Sequence, residues 1–144
     1  LRLFFYNQGF LQNLEKVVKF KKKYNLFFLV VYPNIKCSTK EVYSKVKNYN
    51  KKKALKQNYK NKVALINQIL NLKNDLQSIV EKKYPVIQKL LLNISNEKGC
   101  YFSRMTGSGS ACYGLFRDKR SSKVALKRLR KKYPKFWFSI AKTI

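Results

Sequence analysis

The most continuous hydrophobic pattern in the chain is an apolar run over residues 26–32. It reads Leu26-Phe27-Phe28-Leu29-Val30-Val31-Tyr32 and is followed at once by Pro33-Asn34. A run of this length, rich in β-branched and aromatic side chains and closed by turn residues, is typical of a buried β-strand. We therefore predict a strand over residues 26–32 and a turn directly after it.

Several later segments have helical features. After the turn, either Ser38 or Thr39 can cap a short helix, and Ser38 and Glu41 have the spacing of a capping box. Apolar residues then recur at helical spacing over 63–72, over 84–94 with Pro85 in the first turn, and over 121–132. We predict Ser121-Ser122 as the cap of the last of these helices. Gly99 is predicted as the C′ residue after the helix over 84–94.

Strand patterns alternate with these helices in the second half of the chain. We predict strands over 100–105, 111–116 and 136–141, the first two joined by a glycine-rich loop. The order is therefore one strand, several helices, two strands, a helix and a strand. This order predicts an α+β fold with a mainly antiparallel sheet and helices on one face. The lysine-rich stretch 48–62 is predicted to be a linker or a frayed helix, and the segment most prone to disorder.

Composition adds charge to this picture. The chain has 144 residues, 33 Lys+Arg against 6 Asp+Glu, and a formal net charge of +27. The basic residues are mostly lysines, spread along the chain beside many Asn, Tyr, Phe and Ile residues, and all of these have A/T-rich codons. A biased genome would therefore give the same composition without selection for a nucleic-acid partner. The charge still predicts salt-sensitive, nonspecific adhesion to polyanions.

The cysteines and the lengths of the apolar runs restrict which kinds of site, crosslink and partner the chain can have. Cys37, Cys100 and Cys112 have no metal-binding spacing, and the chain has no histidine. We therefore predict no metal site and no disulfide scaffold, but reduced thiols in a cytoplasmic protein. Because the longest apolar run covers only residues 26–32, we predict no membrane partner.

The loop between the two adjoining strands is the strongest candidate for chemistry. It reads Thr106-Gly107-Ser108-Gly109-Ser110 and carries almost no side-chain bulk. Such a backbone can approach a ligand closely, and successive free N–H groups form a concave site for a phosphate. An ordinary hairpin loop has a similar composition, and the loop lacks both the P-loop lysine and a dinucleotide fingerprint.

Two further positions have a structural and a functional interpretation. Thr39 is either a helix cap or a ligand contact at the start of that helix. Asn74-Asp75 interrupts the helical pattern, and Asp75 is favoured as a cap over a catalytic role because no base or metal ligand lies nearby in sequence.

Three segments, taken in order, resemble a known family. They are Val31 to Tyr43 with its Ser38-Thr39 pair, Asn74-Asp75-Leu76, and Met105 to Phe116 with the glycine loop. Together they are similar to the C-terminal half of the 4-diphosphocytidyl-2-C-methyl-D-erythritol kinases, a branch of the GHMP kinase superfamily. Three ordered motifs match by chance far less often than one.

The resemblance implies a fold, a reaction and site residues. It implies a ferredoxin-like C-terminal domain over 26–144 and ATP-dependent phosphorylation of a 2-hydroxyl group, with Mg²⁺, in non-mevalonate isoprenoid synthesis. Gly107, Ser108, Gly109 and Ser110 would face the phosphates, and Thr39 would lie on the side of the small cytidine-diphosphate substrate. Asn74 and Asp75 would have a supporting role.

The chain also departs from the family pattern. The family's main ATP loop and its catalytic aspartate and lysine belong to the N-terminal half and have no counterpart here. Residues 1–25 carry only Gly9 where a G-x-G-E turn is usual, so we interpret them as a diverged remnant of the preceding domain. We expect the chain to be inactive alone, either as a truncated product or as one half of a split protein that needs a separate N-terminal half. The alternative is a stand-alone basic module that binds nucleic acid.

Overall fold

The computed structural model describes residues 9–11, 17–19, 22–47 and 59–143. Strands β1 (Gly9–Leu11) and β2 (Val17–Lys19) pair antiparallel in a two-stranded sheet of their own. Most of the predicted remnant at 1–25, and the part of the predicted linker at 48–58, lie outside the described residues. The predicted division of the chain at residue 25 stays a prediction.

The main sheet contains the four strands that the pattern predicted. They are β3 (Phe27–Tyr32), β4 (Cys100–Met105), β5 (Cys112–Phe116) and β6 (Trp137–Lys142). Their order across the sheet is β4-β5-β3-β6, and every neighbouring pair is antiparallel. The first predicted strand therefore lies inside the sheet, as its continuous apolar run requires, between two strands from the end of the chain.

Among the described residues, five helices connect and cover these strands. They are α1 (Thr39–Ser44), α2 (Lys62–Leu70), α3 (Gln77–Lys83), α4 (Pro85–Ser95) and α5 (Lys119–Lys132). The strand order and the helix between β5 and β6 give the βαββαβ arrangement of a ferredoxin-like sandwich, so the predicted α+β fold is confirmed. Within the described ranges, no helix has the length and apolar character that a bilayer crossing needs.

The larger core lies between the sheet and helices α3, α4 and α5. Successive side chains of a strand point to opposite faces, so Leu29 and Val31 of β3 point to the same face, where both are fully buried. Helix α4 packs Ile87, Leu90 and Ile94 into this core, each fully buried. This core therefore fills the space between one face of the sheet and helices α4 and α5.

Helix α2 lies on the opposite face of the sheet, which the prediction of helices on one face did not include. Its Leu65 and Ile66 are buried in a second cluster with Leu115 of β5, while Phe28 of β3 packs against the same cluster. Leu115 and Phe28 alternate with residues of the first core, so the strand geometry places this cluster on the other side. The segment before the helix takes part as well, since Tyr59 is buried there.

Three predicted helix ends differ from the observed ones. Helix α5 is capped by Asp118, whose carboxylate accepts from the Ser121 N–H at 2.7 Å, so the prediction of Ser121-Ser122 as the cap was wrong. Both serines are instead buried in the helix. Helix α4 ends at Ser95 with Asn96 as C-cap, so Gly99, at φ +86°, serves the turn into β4 rather than the C′ position. Helix α2 begins after Asn61, whose side chain caps it.

Candidate functional site

The glycine loop is a tight turn between β4 and β5. The Thr106 N–H donates to the Ala111 carbonyl at 2.9 Å, and the Gly109 N–H donates to the Thr106 carbonyl at 3.1 Å. Gly107 and Gly109 have φ values of +55° and +91°, which favour glycine at both positions. The loop is exposed at Gly107 and becomes buried by Ser110.

The two glycines face different surroundings. A Cβ added at Gly109 would lie 2.9 Å from Sδ of the buried Met105 and 3.3 Å from Sγ of the half-buried Cys37, so the backbone packs closely onto both side chains there. A Cβ added at Gly107 would have no heavy atom within 4 Å. The outer end of the loop is therefore open, whereas its inner end is held against the core.

Asn74 fixes the loop from the side. Its amide nitrogen donates to the carbonyls of Met105 and Gly107, both at 2.9 Å. Its amide oxygen accepts from the Leu76 N–H at 3.0 Å, which orients the side chain. One side chain therefore spans the start of the loop, and the supporting role of Asn74 in the site stays a prediction.

The neighbouring Asp75 is not the cap of α3, and its supporting role in the site stays a prediction. The N-cap of α3 is Leu76, without any side-chain cap, so the prediction of Asp75 as the cap was wrong. The turn is made by Asn74, whose carbonyl also accepts from the Gln77 N–H at 3.1 Å. Gln77 extends the support of the loop, because its Oε1 accepts from the Met105 N–H at 3.0 Å.

Thr39 meets the glycine loop directly. Its hydroxyl lies 2.9 Å from the Ser108 hydroxyl, and the two form a hydrogen bond in which either oxygen can donate. Ser38 is the N-cap of α1 and accepts from the Glu41 N–H at 3.3 Å. The capping interpretation therefore holds for Ser38 and not for Thr39, whose exposed hydroxyl is left to the loop and to solvent.

An ion-pair cluster joins α1 to α3 and keeps Thr39 in position. The Glu41 carboxylate binds Lys83 Nζ at 2.6 Å and Lys45 Nζ at 2.9 Å. The Lys83 hydrogen bond, followed by that of Lys45, lowers the pKa of Glu41 to about 2. The same contact raises the pKa of Lys83, so both groups are charged at neutral pH.

Ser110 and Cys37 lie beneath the loop. The Ser110 hydroxyl is buried and donates to the Ile35 carbonyl at 2.5 Å, which ties the loop to the chain between β3 and α1. All three cysteines are free thiols. Burial raises the pKa of Cys112 to about 12 and that of Cys100 to about 11, and it also raises the pKa of Cys37. These thiols are protonated at neutral pH and provide no thiolate nucleophile.

The loop suits a phosphate better than a metal ion. Within the described part of the chain, the amides of Gly107 and Ser108 make no hydrogen bond, and they lie at the open end of the loop. Two adjacent N–H donors of this kind bind an anion. No group of three or more Asp, Glu, Cys or His side chains that could hold a metal lies within the described ranges.

Sequence reasoning missed two residues that build this site. Both residues belong to α3. Gln77 accepts from the backbone N–H of Met105, and Lys83 binds the carboxylate of Glu41 in α1. A glutamine in a polar helix and one lysine among many carry no local signal. The signal available in the sequence was the order of three segments, in which Thr39 and Asn74 precede the glycine loop. The structure brings both residues into contact with that loop.

Comparison with known proteins relates the chain to one kinase family. A family model described as the C-terminal domain of GHMP kinases matches residues 52–135. The chain is similar to the 4-diphosphocytidyl-2-C-methyl-D-erythritol kinase of Pelagibacter ubique, with 34% identity over 128 residues that cover 89% of this chain and 45% of that protein. It is similar to the kinase of the same name from the Wolbachia of Brugia malayi, with 33% identity over 107 residues, 74% of this chain and 37% of that protein.

Solved structures share the fold at lower identity. A crystal structure of 4-(cytidine 5'-diphospho)-2C-methyl-D-erythritol kinase superposes with a TM-score of 0.66 at 20% identity, over 88% of this chain and 46% of that one. Homoserine kinase from Cytophaga hutchinsonii superposes with a TM-score of 0.50 at 14% identity, over 90% and 44% of the two chains. The chain thus spans less than half the length of the proteins it matches. The family match covers more than half of the chain, which therefore belongs to the GHMP kinase C-terminal family.

Proposed function

We propose that this chain forms the C-terminal wall of the active-site cleft in an ATP-dependent kinase. The kinase would phosphorylate the 2-hydroxyl of 4-diphosphocytidyl-2-C-methyl-D-erythritol, a step in non-mevalonate isoprenoid synthesis. The observation that carries the proposal is the meeting of three separate segments: Thr39 contacts Ser108, while Asn74 holds the same loop from the other side. The names of the relatives at about one-third identity support the substrate.

Each site residue then has a physical role. Phosphoryl transfer depends mainly on positioning and on stabilising charge in the transition state. The free amides of Gly107 and Ser108 would hold phosphate oxygens of ATP, which supplies the transferred group when bound. Thr39 would lie on the substrate side of the loop. Asn74 and Ser110 would keep the loop in one conformation, so that less ordering is needed when ligands bind.

The proposed site is incomplete within these 144 residues. The family's ATP loop and catalytic aspartate and lysine have no matching positions here, and the described residues include no group of three or more Asp, Glu, Cys or His side chains that could hold a metal. We therefore propose that an N-terminal half supplies these parts, and that the chain alone transfers no phosphate. Free thiols at all three cysteines support a cytoplasmic location.

A chimera tests the proposal. The N-terminal half of the Pelagibacter ubique kinase would be joined to this chain, which replaces that protein's own C-terminal half. We expect the chimera to phosphorylate the cytidine-diphosphate substrate with ATP, and the chain alone to show no turnover. A folded chimera without activity, or turnover by the chain alone, would contradict the proposal.

Variants of Thr39 test the site itself. In the active chimera, Thr39→Val removes the hydroxyl at constant shape, and we expect kcat/KM for the cytidine-diphosphate substrate to fall by about 10-fold or more, the effect of losing one hydrogen bond. Thr39→Ser should recover most of the activity. The matched control is Ser44→Ala in the same helix, whose hydroxyl bonds only to the Glu41 carbonyl at 2.8 Å. Equal losses in Thr39→Val and Ser44→Ala would remove Thr39 from the site.

A further inference from the structure

Helix α5 has an unusual concentration of positive charge. Eight of its 14 residues are Lys or Arg, and none is acidic. The chain has only six arginines, at 2, 104, 117, 120, 128 and 130, so three of them fall in this one helix. A genome rich in A/T codons explains abundant lysine, but it does not explain why arginine collects here.

Five of these cations form a single row, which we call the basic stripe. It consists of Arg120, Lys123, Lys127, Arg130 and Lys131, all exposed. Their spacing of three, four, three and one residues places them within about 100° of one another around the helix, over a length of about 16 Å. The buried residues Ser122, Ala125 and Leu129 lie on the opposite side of α5, against the core. The stripe therefore faces away from the protein.

The stripe does not stabilise the helix that carries it. Lys119 and Arg120 lie in the first turn, where the helix dipole disfavours positive charge. Lys123, Lys127 and Lys131 follow one another at four-residue spacing, at which like charges repel. Within the described part of the chain, none of the five side chains of the stripe forms a hydrogen bond or an ion pair.

Nearby acidic residues leave the stripe uncompensated. Asp118 contacts Arg117 at 2.9 Å, and Glu97 lies 3.8 Å from Arg128. Both of these cations lie outside the stripe. The row is therefore a set of uncompensated like charges held in a fixed geometry by the burial of the other side of α5, and a polyanion would relieve their repulsion.

We propose that the basic stripe binds the phosphodiester backbone of a double-stranded nucleic acid. A membrane surface fits less well, because a helix that enters a bilayer interface needs a free apolar face, and that of α5 is buried. A single strand fits less well, because the stripe has no aromatic side chain on which bases could stack. A duplex carries one charge per 1.7 Å of its axis, so about ten phosphates lie along the length of the stripe.

Fluorescence anisotropy of the full 144-residue chain with a labelled, mixed-sequence DNA duplex tests this inference. With five phosphate contacts, we expect the affinity to fall about 500-fold between about 50 and about 200 mM KCl. The stripe variant Lys123→Gln, Lys127→Gln, Arg130→Gln, Lys131→Gln should bind about 100-fold more weakly at the lower salt concentration, with a salt slope smaller by about four. The same measurement with an RNA duplex of matching sequence shows whether the stripe binds DNA, RNA or both. Binding to either duplex supports the proposal.

The control variant removes the same charge elsewhere. Lys47→Gln, Lys60→Gln, Lys73→Gln and Lys82→Gln change exposed lysines outside α5, and we expect its affinity to change by about threefold or less. Both variants should keep the melting temperature of the parent chain to within a few degrees. Equal weakening in the two variants would overturn the proposal, because binding would then depend on total charge. Stripe-dependent binding to phosphatidylserine vesicles, without binding to either duplex, would overturn it as well.

Discussion

At the scale of single residues, the two glycines of the loop have separate functions. Gly109 has a φ of +91° beside the sulfur atoms of Met105 and Cys37, and Gly107 has a φ of +55° at the open end. At Gly109, the positive φ is one that other residues avoid, and neighbouring atoms leave no space for a side chain. At Gly107, only the positive φ favours glycine, and it does so moderately. The loop is therefore anchored by Gly109, while Gly107 lies at its open end.

Alanine substitutions should separate these functions. Gly109→Ala places a Cβ 2.9 Å from Met105 Sδ at an unfavourable φ, and we expect it to lower the free energy of unfolding by about 2–4 kcal/mol. Gly107→Ala meets no neighbouring atom and should lower it by about 1 kcal/mol or less. Urea denaturation measures both values. Equal losses would show that Gly109 is not held as described.

At the scale of secondary-structure elements, α1 depends on a contact with α3. A helix of six residues is too short to be stable alone, and its Val42 is its one buried side chain. The Glu41–Lys83 ion pair adds a second attachment. Thr39 therefore keeps its place at the loop through charge as well as through packing.

Acid should loosen this attachment. The pKa of Glu41 is about 2 in the folded chain against 4.5 for the free group, so its contribution to stability is complete above pH 4.5. That contribution is lost as the pH falls through this interval towards 2. We expect the free energy of unfolding to decrease over this range and Glu41→Gln to flatten the decrease, as measured by urea titrations at several pH values.

Asp118 supplies the comparison for this pH dependence. Its hydrogen bonds with Ser121 lower its pKa to about 2 from 3.8, so Asp118→Asn should flatten the acid slope over an overlapping pH range. The two effects should add, because the residues share no partner. An unchanged acid slope in Glu41→Gln would count against the role of the ion pair.

Helix α2 gives a second test at this scale, because it covers the face of the sheet opposite the main core. Ile66 is 3% exposed there, whereas Val63 in the same helix is 62% exposed. We expect Ile66→Ala to lower the free energy of unfolding by about 2–5 kcal/mol and Val63→Ala by about 0.5 kcal/mol or less. Thermal and urea melts measure the difference, and similar values would place α2 outside the cooperative fold.

The limits of prediction from sequence also belong to this scale. β3 and α4 were predictable because a continuous apolar run and a regular helical spacing are local signals. The cap at Asp118 was missed because two serines, equally good caps, stand three residues further on. The hydrogen bonds of Asn74 to the loop join residues 31 and 33 positions apart, and no local pattern encodes them.

At the scale of the whole molecule, net charge opposes compactness. A chain with +27 formal charges repels itself when folded, and the described ion pairs are exposed and few. Salt screens repulsion between surface charges over about 10 Å at 0.1 M. The stability of this fold should therefore increase with ionic strength, although its surface ion pairs weaken.

A salt series tests this expectation. We expect the melting temperature to rise by about 3 °C between low salt and about 0.5 M NaCl, which corresponds to about 1 kcal/mol for a domain of this size. KCl should give the same rise if screening is the cause. A constant or falling melting temperature would show that attraction between charges outweighs their repulsion.

The position of β3 in the sheet has a consequence for synthesis of the chain. Its two neighbours, β5 and β6, follow it by about 80 and 105 residues, so the strand emerges from the ribosome long before either partner exists. At 5–20 residues per second, this apolar segment waits about 5 to 20 seconds without its sheet. Such a segment is prone to aggregation during that interval, and chaperone binding during translation should concentrate on residues 26–32.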